Sequence, residues 1–225
     1  MNIQEQKLHQ EGEVSISRCI VSSLNITLVV LFLLCVRGPQ IAQSQEQSPP
    51  VTVTHNPCTL APIVVPTFPD KIPGYTELDP ETQLHITGTA QVIDVQSYSL
   101  KITGKVSQPL NLKYDDLRCM PNIEARPTLV CPGFFMDTAT WAGASLKYVL
   151  ELAEVQEGAS HIRLVSADGY ATLVTIKKAL SDKNFLAYEW EGKPIPILHG
   201  FPVRAVFPDL QGNKWVKWLV GIEVQ

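Results

Sequence analysis

The feature that most limits how this chain can fold is a succession of short strand-like segments between Leu84 and Gln225. Apolar and polar residues alternate in these segments, as they do in strands with one buried face. Helix-like segments are few, and no strand-helix-strand period repeats. We therefore predict an α+β fold with mixed or antiparallel sheets and short helices.

Local patterns place the individual elements. Asp168-Gly169 is a hairpin-turn signal between two strands. Ser145 is a candidate cap for a helix with Leu146 and Val149 on its apolar face, and Gly158 is placed where that helix ends. A helical turn is expected at 114–117 and a short helix at 177–181. The predicted strands are 84–87, 98–102, 128–130, 162–166, 171–176, 185–189, 204–207 and 215–224.

Composition supports one sizeable core. Of 225 residues, 45% are hydrophobic and 18% charged, which suits one globular domain better than two large ones. The net charge of -4 makes a basic nucleic-acid-binding surface improbable.

Three regions are predicted along the chain. Residues 1–44 are expected to be a signal peptide or a membrane anchor, because the apolar centre 28–36 has the length of a signal peptide and the whole run 19–36 is a marginal anchor. Residues 45–82 are rich in proline and indicate a linker, or an arm packed along the domain. Residues 83–225 form the predicted domain. Its expected location is exported, periplasmic or extracellular, or membrane-anchored; a tethered domain facing the cytoplasm is the alternative.

Cys131 is the strongest candidate for chemistry. It follows an apolar strand-like run, Pro132-Gly133 break that run, and Trp141 to Gly143 are expected to lead into a helix. This places the thiol at a strand-to-loop junction beside a pocket, where it could bind a soft metal. The alternative is a small buried hydrophobic residue.

Later segments strengthen the case for Cys131. They are Ala167-Asp168-Gly169-Tyr170, the run from Leu186 through His199-Gly200-Phe201-Pro202-Val203-Arg204 to Pro208, and Gly212-Asn213-Lys214-Trp215-Val216-Lys217-Trp218-Leu219. Together with Cys131, Trp141 and Gly143, this ordered set resembles the molybdopterin-binding oxidoreductase domain of the sulfite oxidase family. The resemblance covers about 83–225.

The resemblance implies a molybdenum-molybdopterin cofactor with Cys131 as a catalytic residue and metal ligand. Arg204, Lys214 and Lys217 are the expected cations for the phosphate tail, and Gly212 lets the backbone come close. His199 is either a hydrogen-bond donor to the pterin or a structural histidine.

Tyr170 has two interpretations. It is either a turn aromatic that packs on the core or, as the resemblance suggests, a catalytic phenol near the metal that positions substrate or passes protons.

The family's sulfite-oxidising members follow the cysteine with a Gly-Asn-Arg-like run, whereas this chain has Pro132 to Asp137. The expected reaction is therefore oxygen-atom transfer to or from a small uncharged substrate, sulfoxide-like rather than sulfite. Phe134, Phe135, Met136 and Trp141 are expected to form an apolar wall, with packing in the core as the equal alternative. The family's amino-terminal pterin-contacting segment has no clear counterpart before Leu84.

Electrons are expected to pass to a separate haem or quinone-linked partner, because there is no Cys-x-x-Cys-His motif. The leader also lacks a twin arginine, which raises the alternative of a cofactor-free interaction module on the same fold. A cysteine hydrolase is a poor fit, since no motif places His85, His161 or His199 as its base. In an oxidising compartment, Cys58 and Cys119 could pair and leave Cys131 free.

Overall fold

The computed structural model describes residues 58–225. The signal peptide or anchor predicted for 1–44 lies outside these residues. Within the described part, no helix has both the length and the apolar character needed to cross a membrane.

The described chain is built mainly from strands. The strands are β1 (Ser99–Gly104), β2 (Leu110–Lys113), β3 (Asn122–Ala125), β4 (Thr128–Cys131), β5 (Phe135–Thr138), β6 (Trp141–Ser145), β7 (His161–Ser166), β8 (Ala171–Thr175), β9 (Phe185–Trp190), β10 (Lys193–Pro194), β11 (Arg204–Val206) and β12 (Leu219–Val224). The helices are α1 (Tyr114–Arg118), α2 (Leu146–Leu152) and α3 (Ile176–Ala179), with 3₁₀ turns at Ile197–His199 and Gly212–Lys214.

The first sheet has the strand order β2-β1-β12-β7-β8. β1 pairs with β12 in parallel, and the other neighbours are antiparallel, so the sheet is mixed. Burial alternates along β7, where Ile162 and Leu164 face the core. This alternation is the pattern from which the strand was predicted.

The second sheet runs β10-β9-β6-β3, and β11 also pairs with β9. Gly143 in β6 permits close pairing with β9, because a Cβ at this position would collide with the carbonyl oxygen of Leu186. β4 and β5 form a separate two-stranded hairpin that ends at Cys131.

The predicted α+β class with mixed sheets and short helices is confirmed. So is the Ser145 cap, whose hydroxyl accepts a hydrogen bond from the backbone N–H of Tyr148. Leu146, Val149 and Leu150 are buried on the predicted face of α2. The helix ends earlier than expected, at Leu152 rather than near Gly158.

Two local predictions were wrong. Residues 84–87 form no strand, because only one isolated bridge joins His85 to Leu78. The strand predicted for 215–224 starts only at Leu219, because Trp218 just before it has a positive φ angle that a regular strand does not adopt. Trp141 to Gly143 lead into α2 as expected, and they do so as part of β6, which pairs with β3 and β9.

Residues 58–82 contact the domain at several points, as an arm does. Cys58 forms a disulfide with Cys119 at the end of α1, and Cys131 is the free cysteine of the described chain. Arg118 donates a hydrogen bond to the carbonyl of Ala61, at 2.8 Å. Ile63 packs against the core. The pairing proposed from the cysteine arithmetic is therefore present.

Replacing both Cys58 and Cys119 with serine should lower the free energy of unfolding by about 2 to 4 kcal/mol, because the bond closes a long loop in the unfolded chain. Urea denaturation of the oxidised protein and the variant measures this.

Peptide mapping after alkylation without reductant should label Cys131 and leave Cys58 and Cys119 unlabelled. Labelling of these two cysteines would contradict the assignment.

Candidate functional site

A cavity of about 320 Å³ lies where the β4–β5 hairpin, the β7–β8 turn and the Gly212–Lys214 turn meet. Four of the residues predicted for the site line it: Cys131, Tyr170, Gly212 and Lys217. The arm and the segment after it also contribute, through Tyr75, Thr87 and Gly88. The site therefore draws on segments that are far apart in sequence.

Cys131 ends β4 with a half-buried side chain. Burial raises the pKa of its thiol, and the charge of Asp137 adds to this effect, while Arg204 and Lys217 oppose it. A bound metal cation would instead lower the pKa of the Cys131 thiol, because a coordinating thiol loses its proton. A Cβ on Gly212 would lie 2.6 Å from Sγ, so glycine leaves room for this sulfur.

Lys217 is a buried cation at the cavity wall. Its Nζ donates hydrogen bonds to the carbonyls of Thr87 and Leu198, each at 2.9 Å, and lies 5.4 Å from the ring centre of Trp218. Burial, reinforced by the charge of Arg204, lowers the pKa of Lys217 well below its ordinary value. Within 58–225 no carboxylate forms a salt bridge with it.

Arg204 is buried behind the cavity and does not line it. Its guanidinium stacks over Trp141 at 4.9 Å and approaches Trp215 at 5.7 Å. Nη1 donates to the carbonyl of His199 at 3.2 Å, while Nε has no partner in the described chain. Burial lowers the pKa of Arg204 to about 10, so the group stays charged at neutral pH.

His199 is fully buried next to these cations. Its Nε2 lies 2.9 Å from Oδ2 of Asp79 and 2.8 Å from Oγ1 of Thr82. Burial and the charge of Lys217 lower the pKa of His199 to about 3, so the imidazole is neutral at neutral pH. Nδ1 has no hydrogen-bond partner among the described residues.

One predicted site residue, Lys214, lies outside the cavity, and another, Tyr170, lines it with a partly exposed side chain. Lys214 donates to the hydroxyl of Thr172 on β8 at 2.8 Å and does not line the cavity. Tyr170 lies at the cavity rim, 45% exposed, and its hydroxyl donates to the carbonyl of Asn213 at 2.7 Å. Its ring therefore packs at the rim and not in the core.

The expected apolar wall is wrong. Phe134 and Met136 are 77% and 70% exposed, because no other part of the described chain covers them on the two-stranded β4–β5 hairpin. Phe135 stacks on His85 at 4.3 Å, and Trp141 lies under Arg204. None of these four side chains lines the cavity.

Sequence reasoning missed Asp79 and Thr82, which fall in the predicted linker. They bind His199, while the carbonyl of Thr87 binds Lys217. The sequence Asp79-Pro80-Glu81-Thr82 is typical of a turn closed by the aspartate side chain, and this was the available signal. Its long-range contact with His199 has no sequence signature.

Asp137 fixes the hairpin that carries Cys131. Its carboxylate accepts the backbone N–H of His85 at 2.9 Å and the ring Nδ1 of the same residue at 2.6 Å. The contact joins β5 to the segment that supplies Thr87 and Gly88 to the cavity.

Comparison with known proteins agrees with this geometry. Residues 87–225 match the family described as "Oxidoreductase molybdopterin binding domain". The chain is 31% identical over 141 residues to "Uncharacterized oxidoreductase YuiH" of Bacillus subtilis, a match covering 62% of this chain and 71% of that protein. The chain therefore belongs to the molybdopterin-binding oxidoreductase family, as its resemblance implied.

Longer relatives share the same region. Identity is 31% with the sulfite oxidase of Arabidopsis thaliana and 33% with the mitochondrial sulfite oxidase of Homo sapiens. The matches cover 61% and 59% of this chain, but only 44% and 30% of those proteins. The crystal structure of the sulfane dehydrogenase SoxCD from Paracoccus pantotrophus shares the fold, with a TM-score of 0.57, 24% identity, and coverage of 60% of this chain and 40% of that one.

The residues present fit the family's molybdenum-molybdopterin cofactor. Cys131 offers one soft ligand, and the described chain contains no cluster of three or more His, Cys, Asp or Glu side chains that would hold a metal without the pterin. Lys217 and Arg204 supply buried positive charge for an anionic group. Nδ1 of His199 and Nε of Arg204 have no hydrogen-bond partner in the described chain, but neither residue lines the cavity.

Replacing Gly212 with alanine should displace Cys131, because the new Cβ would lie 2.6 Å from Sγ and 2.8 Å from Cδ2 of Leu129. We expect the rate of alkylation of Cys131 to change, which peptide mapping measures. We also expect the molybdenum content to fall by about tenfold. Gly221→Ala is the matched control, since its nearest contact is an ordinary 3.5 Å. Equal alkylation rates and metal contents in the two variants would contradict this role for Gly212.

Proposed function

We propose that this molybdopterin-dependent oxidoreductase transfers an oxygen atom to or from a small, uncharged, sulfoxide-like substrate, with Cys131 as the protein ligand of molybdenum. The observation that carries the proposal is the placement of the Cys131 thiol in a cavity shared with the buried cation Lys217. A soft thiol and an unpaired cation suit a group that combines a soft metal with a phosphate tail.

The bound cofactor supplies the two-electron oxidation and reduction and the exchangeable oxygen. In this proposal Cys131 holds the metal as a thiolate. Lys217 and Arg204 neutralise anionic charge, and Lys214 assists by turning from Thr172 towards the phosphate.

His199 binds the pterin in this proposal, and Tyr170 positions substrate at the rim. The hydrogen bond from Tyr170 to Asn213 orients its ring beside the Gly212–Lys214 turn.

An uncharged substrate is favoured by the side chains near Cys131. Pro132 and Gly133 follow the cysteine where sulfite-oxidising members have an arginine-containing run. Burial and the charge of Arg204 lower the pKa of Lys217, and the charges of Asp137 and Asp168 oppose this effect. These carboxylates therefore partly offset the positive charge at the site. An anion such as sulfite gains less here than at a site with an added arginine.

Export or membrane anchoring and a separate electron partner complete the proposal. The Cys58–Cys119 disulfide supports an oxidising compartment, where such bonds form and persist. A haem or quinone-linked protein is the proposed electron partner. The apolar run 19–36, on which anchoring or export depends, lies outside the described residues.

Cys131→Ala should lower turnover of a small sulfoxide, assayed with a reduced viologen dye, by more than about a hundredfold, because the metal loses its protein ligand. Val130→Ala is the matched control, since Val130 is the adjacent, exposed residue of the same strand. Circular dichroism checks that both variants fold.

Sulfite oxidation, assayed with ferricyanide, should be far slower than sulfoxide reduction in the wild-type protein. Full turnover by Cys131→Ala would remove the thiolate from the mechanism. Efficient sulfite oxidation would contradict the proposed substrate class.

A further inference from the structure

The arm places an aromatic side chain at the rim of the cavity. Tyr75 lines the cavity, although 73% of its surface is exposed. A large aromatic ring left in water gains free energy when a ligand covers it. Tyr75 is therefore available to a molecule that enters the cavity from solvent.

A hydrogen-bonded turn holds the backbone on either side of Tyr75. The N–H of Thr76 donates to the carbonyl of Ile86 at 2.8 Å, and the N–H of Ile86 donates to the carbonyl of Glu77 at 2.9 Å. The N–H of Glu77 donates to the carbonyl of Gly74 at 3.0 Å, while its carboxylate accepts the N–H of Gly74 at 2.8 Å. The turn therefore fixes where the side chain of Tyr75 begins.

This turn contains a strained residue. Thr76 has a φ angle of 61°, a left-handed conformation that β-branched residues rarely adopt. Its hydroxyl donates to the carbonyl of Tyr75 at 2.7 Å. Such strain persists only where surrounding contacts enforce it, and it is concentrated at functional sites. The strain at Thr76 therefore favours a function for the neighbouring side chain that the turn presents.

Other aromatic rings line the same cavity. Tyr170 is partly exposed at the rim and is held there by the hydrogen bond from its hydroxyl to the carbonyl of Asn213. Trp215 and Trp218 line the cavity as buried residues. Aromatic surface is therefore present both at the rim and in the interior.

We propose that Tyr75 is a specificity-determining residue that binds the aromatic substituent of an aryl sulfoxide at the cavity rim. The inference rests on the proposed function and narrows its substrate class. The substrate ring packs on Tyr75, with Tyr170 as a second contact, while the sulfinyl group enters the interior beside Cys131. A pair of aromatic rings gains more than the burial of their area alone, and a small dialkyl sulfoxide lacks this gain.

Two substrates with the same reactive group test the inference. Methyl phenyl sulfoxide and dimethyl sulfoxide are each reduced by two electrons from a reduced viologen dye and two protons, which yields the thioether and water. We expect the wild-type protein to prefer methyl phenyl sulfoxide. Tyr75→Ala should lower the ratio of the two kcat/KM values by about tenfold, mainly through KM, because Tyr75 contributes to binding. Tyr75→Phe should keep the ratio, since the ring is retained.

Binding is measured separately from turnover with methyl phenyl sulfone and dimethyl sulfone, which resemble the two substrates. Titration of the cofactor-loaded protein is followed by the fluorescence of its tryptophans, of which Trp215 and Trp218 line the cavity. The Kd of methyl phenyl sulfone should rise by about tenfold in Tyr75→Ala. The Kd of dimethyl sulfone should not change.

Phe68 offers a matched control. It is another exposed aromatic residue of the arm, but it does not line the cavity. Phe68→Ala should leave the kcat/KM ratio and both Kd values unchanged. Circular dichroism checks that all three variants fold.

The inference and the proposed function fail in different ways. A folded Tyr75→Ala variant with an unchanged kcat/KM ratio and an unchanged Kd for methyl phenyl sulfone would overturn the inference. An equal loss of preference in Phe68→Ala would also overturn it. A wild-type protein that binds methyl phenyl sulfone through Tyr75 but reduces neither sulfoxide would support the aryl-binding role and contradict the proposed reaction.

Discussion

Two basic side chains, Arg204 and Lys217, are buried, and neither forms a salt bridge in the described chain. Each such ion costs several kcal/mol to remove from water. Hydrogen bonds to carbonyl oxygens and contacts with aromatic rings offset only part of this desolvation free energy. The rings are those of Trp141, Trp215 and Trp218. We propose that the anionic cofactor supplies the missing countercharge, so that these two side chains form half of its binding site.

The surrounding fold keeps these cations in place and brings Cys131 to them. Arg204 is carried by β11 on the second sheet, whereas Lys217 lies two residues before β12 of the first sheet. The β4–β5 hairpin carries Cys131, and the Asp137–His85 contact fixes that hairpin to the segment containing Thr87. The carbonyl of Thr87 then binds Lys217. Hydrogen bonds therefore link the hairpin that carries Cys131 to the segment 85–87, and that segment to Lys217.

Much of the second half of the chain could be predicted from sequence, because its strands alternate regularly and its turns contain Asp168-Gly169 or a helix cap at Ser145. The family was indicated separately, because the ordered segments around Cys131, His199, Arg204 and Lys217 resemble its members. The role of residues 75–88 could not be predicted in this way. Thr76 and Gln83 have positive φ angles, and the segment has no period to detect.

Contacts between distant segments were also beyond sequence patterns. The link from Asp79 to His199 and the exposure of Phe134 and Met136 depend on which elements pack together, not on local preference. The predictions that Phe134 forms part of an apolar wall and that Asp79 lies in a linker were based on residue type alone.

We expect the cavity beside Cys131 and Lys217 to hold molybdenum-molybdopterin. Elemental analysis for molybdenum, with pterin fluorescence after oxidation, on protein purified from its own host tests this most directly. We expect near-stoichiometric molybdenum and pterin in the wild-type protein, and a strong loss of both in Lys217→Met. A folded wild-type protein without molybdenum or pterin, from a host that makes the cofactor, would contradict the claim.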